Sequence, residues 1–60
     1  MGNISQMEFN AIREIAGSHL TSANKLNEFA QHCDDVQIKN MFEHAAQDAR
    51  KSAQTLVAML

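Results

Sequence analysis

Three side chains of this 60-residue sequence are the candidate ligands for a metal ion, namely His19, His44 and Asp48. His44 and Asp48 are spaced i, i+4, which places them on one stripe of a helix as two ligands for a divalent metal. His19 lies in the middle of an apolar helical arc, where two-fold symmetry could bring copies of His19 and Asp48 together in a bundle core. The simpler alternatives are a solvated polar pair at His44 and Asp48, and a buried His19 that hydrogen-bonds Asp48 or Ser52 and fixes helix register. We expect no cofactor.

The sequence contains no pattern typical of an enzyme, since it has neither a glycine-rich phosphate loop nor a pair of cysteines. Its one cysteine, Cys33, precedes a predicted helix at a position where an apolar residue is expected, which favours packing over thiol chemistry. A single cysteine also needs no oxidising compartment. We therefore predict a protein without catalytic activity that resides in the cytoplasm.

The charge pattern bears on the kind of partner. Five Lys and Arg residues against seven Asp and Glu residues give a formal net charge of −2, and the basic residues are scattered along the chain. This distribution argues against nucleic acid and against a membrane surface. The longest apolar run, residues 56–60, is far shorter than the roughly 20 residues that a membrane span requires.

The elements that position these residues begin with a helix at Ser5. The sequence Ser5-x-x-Glu8 is a capping box, and Ile4 and Phe9 flank it as a hydrophobic staple. Apolar residues then recur at three- and four-residue intervals as far as Cys33, without an intervening proline. The pattern predicts a first helix over about residues 5–33.

A second helix follows almost at once. Asp34-x-x-Gln37 repeats the capping device, with Cys33 and Ile38 in the staple positions. The same apolar periodicity continues to the end of the sequence. We predict a turn at about residues 33–35, a second helix over about residues 35–60, and a single unit over residues 1–60.

So short a connection forces the two helices to run antiparallel. Residues equidistant from the turn then become neighbours. The pairs expected at equal height are His19 with Ala49, Leu26 with Phe42, and Ile12 with Leu56.

Both helices carry apolar arcs wider than a two-helix seam can cover, and this surplus predicts a partner surface. The simplest closed solution is a two-fold homodimer that forms a four-helix bundle. The residues expected at this oligomer interface are Phe9, Ile12, Ile15, Leu20, Phe29, Met41, Ala46, Leu56 and Met59.

The stretch from His19 to Phe42, with its mid-helix histidine, Asp-rich turn and Lys39-Asn-Met-Phe42 helix start, is followed by an alanine-rich helix ending at Leu60. In this layout the sequence resembles the spore coat protein F-like family. The resemblance implies a ferritin-like helical hairpin, a spore-forming bacterial source, and a structural role in or near the spore coat, with other coat-like proteins as possible partners.

The sequence departs from metal-binding ferritins, because Ala46 follows three residues after Glu43 and no Glu-x-x-His motif is present. Two alternatives to a structural module remain open at this point. One is a ferritin-like metal-binding protein that uses His19, His44 and Asp48. The other is a helical adaptor that docks an unrelated protein.

Overall fold

The computed structural model describes residues 4–60, so residues 1–3 of the predicted unit lie outside the described residues. It contains an all-helical hairpin of two helices, α1 (Gln6–Gln31) and α2 (Val36–Val57), packed against each other and joined by residues 32–35. The first half of α1 lies beside the second half of α2, as shown by the groove that Ile15 and Leu56 share. The helices are therefore antiparallel, and the molecule is a rod about 47 Å long. The predicted all-α hairpin is confirmed.

The first helix begins with the predicted capping box. The Ser5 hydroxyl accepts a hydrogen bond from the Glu8 backbone N–H at 3.1 Å, and the Glu8 carboxylate accepts one from the Ser5 backbone N–H at 3.0 Å. The bond from the Ser5 backbone N–H, followed by the bond to the Ser5 side chain, lowers the pKa of the Glu8 carboxyl. α1 ends at Gln31, two residues before the predicted end, with His32 as its C-terminal cap.

The second helix and its cap each lie one residue later than predicted, and the predicted Asp34-x-x-Gln37 capping box is wrong. Asp35 is the cap: its carboxylate accepts hydrogen bonds from the backbone N–H groups of Gln37 at 2.8 Å and Ile38 at 3.2 Å. One carboxylate at this position serves two otherwise unpaired helix donors. The predicted staple pair is displaced with the cap, so Cys33 lies half-buried in the connection. α2 ends at Val57, three residues before the predicted end.

Small residues form the seam between the helices. All the fully buried residues of the described chain are alanines spaced seven residues apart within each helix: Ala16, Ala23 and Ala30 in α1, and Ala46 and Ala53 in α2. Beside them runs a second row at the same spacing, formed by half-buried residues: Ile12, His19, Leu26 and Cys33 before the turn, and Phe42, Ala49 and Leu56 after it. This heptad arrangement is that of an antiparallel coiled coil, in which alanine lets the two backbones approach closely.

Two contacts between the helices join residues about one helical turn beyond the pairs expected at equal backbone height. The ring of Phe42 packs against that of Phe29, with centroids 6.0 Å apart, three residues beyond the predicted level. His19 shares a groove with Ser52, again three residues beyond its predicted level. Side chains lean toward the N-terminus of their own helix, so in an antiparallel pair they lean in opposite directions and their contacts are offset from equal backbone height.

Candidate interaction surface

The hairpin exposes most of its large apolar side chains. None of them is fully buried in residues 4–60, and eleven are exposed. These eleven are Met7, Phe9, Ile15, Leu20, Phe29, Val36, Ile38, Met41, Val57, Met59 and Leu60. Scattered exposed apolar residues are ordinary on a monomer, but a contiguous set of them marks an interaction surface. The arrangement of these side chains around the seam is therefore the main functional evidence.

One side of the seam, here called the uncharged flank, has only uncharged residues in its two rows between residues 15–29 and 38–52, although His19 and Lys51 also line the groove on this side. It consists of two rows with heptad spacing: Ile15, Ser22 and Phe29, which follow Glu8 on α1, and Ile38, Ala45 and Ser52 on α2, which are followed by Met59 beyond the end of the helix. The exposed fractions of its large side chains range from 39% for Met59 to 57% for Phe29. The two rows lie on the same side because Ile15 and Ser52 line one groove.

The opposite side, here called the charged flank, has a different character. Its rows are Arg13, Leu20 and Asn27 on α1, and Val36, Glu43, Arg50 and Val57 on α2. Near its centre Arg50 bridges the helices. With its side-chain amide oxygen turned toward the Arg50 guanidinium, Asn27 accepts hydrogen bonds from both terminal nitrogens of Arg50, at 2.7 and 2.9 Å. One of these nitrogens also donates to the Asn24 side-chain oxygen at 3.4 Å. These polar contacts close the middle of the charged flank.

An open groove lies on each flank toward the end of the hairpin away from the turn. The groove on the charged flank has a volume of 320 Å³ and is lined mainly by apolar atoms of Leu20, Ala53 and Val57. The groove on the uncharged flank has a volume of 440 Å³ and is lined by Ile15, His19, Lys51, Ser52, Thr55 and Leu56. Both are shallow surface grooves, which suits them to contact with another helix better than to enclosure of a small molecule.

His19 is half-buried and opens onto the groove of the uncharged flank. We predicted a buried His19 with a hydrogen bond to Asp48 or Ser52, and this prediction is wrong for the described hairpin. Ser52 lines the same groove, but no hydrogen bond joins it or Asp48 to the imidazole. Because the groove admits water, the ring nitrogens need no protein partner.

The candidate metal ligands do not come together within one hairpin. His44 and Asp48 are both exposed on the side of α2 that faces away from the seam, whereas His19 lies beside it. Across residues 4–60 no three His, Cys, Asp or Glu side chains form a group suited to a metal ion. A site built from these residues would need ligands from a second copy.

The residues predicted for the oligomer interface divide into two groups. Phe9, Ile15, Leu20, Phe29, Met41 and Met59 are exposed, as a partner surface requires. Ile12 and Leu56 are half-buried in the seam, and Ala46 is fully buried in it. Ala46 therefore belongs to contacts within the hairpin rather than to an outer interface, because its methyl group is already covered by α1.

Sequence reasoning did not assign four residues of the uncharged flank to an outer surface, namely Ser22, Ile38, Ala45 and Ser52. Three of them are small, so a search for large apolar side chains passes over them. Their signal is the strict seven-residue spacing that places them beside the alanines of the seam.

Comparison of the chain with protein-family models, with curated proteins and with solved structures gives no match. Neither helix of the described range 4–60 is at once long and apolar enough to span a lipid bilayer.

Proposed function

We propose that the protein is a self-associating structural module, in which two copies of the hairpin combine into a four-helix bundle and assembly is itself the activity. The observation that carries the proposal is the distribution of apolar side chains. Within residues 4–60 the seam fully buries only alanines, while eleven larger apolar residues remain exposed. A hairpin of this kind gains much of its apolar burial only when it meets another helical surface.

The surface area supports a partner of ordinary interface size. The chain exposes 4732 Å². A compact monomer of 6.7 kDa exposes about 3,900 Å², so the hairpin carries a surplus of about 800 Å². A standard protein–protein interface covers about 800 Å² on each partner. One copy of the same chain is therefore sufficient to cover the surplus.

The resemblance to spore coat protein F-like proteins gives this module a biological setting. We place its structural role in or near the spore coat, without catalysis, with copies of itself and other coat-like proteins as partners. The exposed surface contains shallow grooves lined mainly by apolar atoms, which fits packing between helices.

Thermal unfolding at several protein concentrations tests the proposal, with helix content followed by circular dichroism. A dimer that unfolds to two chains gains about 1.4 kcal/mol for each tenfold rise in concentration. At about 2.1 cal/mol/K per residue over two chains, the expected rise in Tm is about 5 °C per tenfold. A Tm that stays constant over a hundredfold range would show a self-sufficient monomer. A poorly folded chain that becomes helical only with an unrelated protein would instead support the adaptor alternative.

A further inference from the structure

The charged flank carries two opposite charges on the same helix. Glu43 is exposed and Arg50 is half-buried, and both lie in the row of α2 that borders the seam on this side. They are two helical turns apart, a rise of about 10 Å, whereas side chains on one helix pair directly when they are three or four residues apart. Glu43 and Arg50 are therefore placed to meet opposite charges on another molecule rather than each other.

The guanidinium of Arg50 is held in position but is not neutralised. Its hydrogen bonds within residues 4–60 go to the side-chain oxygens of Asn27 and Asn24, which carry no charge. These bonds use three of the five N–H groups of a guanidinium and leave two free. A positive group fixed at an open surface with free donors is suited to a carboxylate from a second molecule.

The α2 row of the charged flank is complementary to itself when it is read backwards. From the start of the helix to its end, the row runs Val36, Glu43, Arg50 and Val57 at seven-residue intervals. A second copy of α2 running in the opposite direction places a guanidinium against each carboxylate and a valine against each valine. This symmetry lies within one helix, so it does not depend on the register between α1 and α2.

The apolar ends of the row also fit each other. Val36 is 68% exposed and Val57 is 52% exposed. Val57 borders the groove of the charged flank, whose other lining residues are all uncharged: Leu20, Ala53, Gln54 and Ala58. In the antiparallel pairing, Val36 of the partner subunit reaches the edge of this groove. The contact therefore removes apolar surface from water at both ends of the row.

We infer that the charged flank is the homodimer interface, with the two α2 helices antiparallel about a two-fold axis midway between Glu43 and Arg50. Glu43 of each copy pairs with Arg50 of the partner subunit, and Val36 pairs with Val57 of the partner subunit, as two-fold symmetry requires. The ion pairs set direction and register, and the apolar ends supply burial. The rows of the uncharged flank in residues 4–60 offer no pair of opposite charges. The inference rests on the proposed self-association and names its surface.

Two charge reversals test the pairing by sedimentation equilibrium of the purified full chain. Glu43→Arg makes both charges of the row positive, and Arg50→Glu makes both negative. Each variant alone then brings like charges together and is expected to raise the dimer Kd by more than tenfold. An equimolar mixture of the two variants restores both opposite pairs and is expected to associate at least tenfold more tightly than either variant alone.

A control separates this pairing from the effect of net charge. Glu28→Arg makes the same change of charge as Glu43→Arg, but on the exposed outer side of α1, and is expected to leave the Kd within about threefold. Its mixture with Arg50→Glu retains one pair of like charges in the row. This mixture is expected to associate at least tenfold more weakly than the mixture of Glu43→Arg with Arg50→Glu.

The outcomes separate this inference from the proposed function. If the wild-type chain stays at 6.7 kDa at every concentration, self-association itself is refuted. If the wild type dimerises and neither charge reversal weakens it, the module stands and the charged flank is the wrong surface. If both reversals weaken association and their mixture gains nothing, Glu43 and Arg50 do not meet across the interface and the inference fails.

A cross-linking experiment covers the case in which Arg50→Glu does not fold, since that change also removes the contacts with two asparagines. In a Cys33→Ala background, Gln47→Cys places a thiol of each copy beside the proposed axis. His44→Cys places it on the side of α2 away from the seam, and both positions are exposed. A short bismaleimide is expected to link Gln47→Cys chains into dimers at least tenfold faster than His44→Cys chains. Equal rates for the two variants would overturn the antiparallel arrangement.

Discussion

Enlarging a central alanine of the seam should destabilise the hairpin strongly, because the seam has no room for it. Ala23 has no exposed surface and lies midway along α1. Ala23→Leu inserts three carbon atoms where two backbones approach closely, and overpacking of this kind costs about 1–3 kcal/mol. Alanine and leucine have similar helix propensities, so the change acts through packing.

The expected effect on Tm follows from the size of the chain. At about 2.1 cal/mol/K per residue, unfolding residues 4–60 has an entropy near 0.12 kcal/mol/K, so Tm should fall by about 8–25 °C. Circular dichroism melts at one fixed protein concentration measure it. Ala11→Leu is the matched control, since Ala11 is exposed on the same helix and its substitution should change stability by less than about 0.5 kcal/mol. Equal Tm values for Ala23→Leu and wild type would refute the close alanine seam.

Four further predictions concern single positions. Ser5→Ala removes the hydroxyl that caps α1 and should lower the unfolding free energy in urea by about 1 kcal/mol. Asp35→Ala removes the acceptor of two N–H bonds at the start of α2 and should cost a similar amount, about 1 kcal/mol, whereas a neutral result would exclude Asp35 as the cap. The folded state lowers the pKa of Glu8, so the ionised carboxylate stabilises the fold above pH 4.5, and this contribution is lost as the pH falls through the pKa of the folded state. The difference in unfolding free energy between wild type and Glu8→Gln should therefore vanish in acid. Gly17→Ala meets no atom within 4 Å and should raise the unfolding free energy by about 1 kcal/mol without changing the dimer Kd, and a raised Kd would place a partner chain against that face.

The parts of the fold that depend on local chemistry could be predicted from the sequence. The capping box at Ser5 and Glu8 joins groups three residues apart, so its spacing alone specifies it. The second cap could not be predicted as safely, because Asp34 and Asp35 are adjacent and either carboxylate can reach the first helix amides. The structure selects Asp35, whose carboxylate serves two donors.

The parts that depend on packing between helices were harder to predict. A short turn correctly indicates antiparallel helices, but counting outward from it misplaces contacts such as Phe29 with Phe42 by about one turn. A helical wheel identifies His19 as central in an apolar arc, yet the neighbouring helix leaves it half-buried at an open groove. The wheel also assigns Ala46 to an outer interface, although this alanine is covered within the seam. Counting apolar and small residues at strict seven-residue intervals would have separated the residues of the seam, such as Ala46, from those of the flanks.

The solution mass of the purified chain across a dilution series is the most direct test of the claim that one hairpin leaves too much apolar surface exposed. The account predicts twice 6.7 kDa at high concentration, with dissociation to the single chain and loss of helix on dilution. A species of 6.7 kDa that remains fully helical and cooperatively folded at every concentration would contradict it.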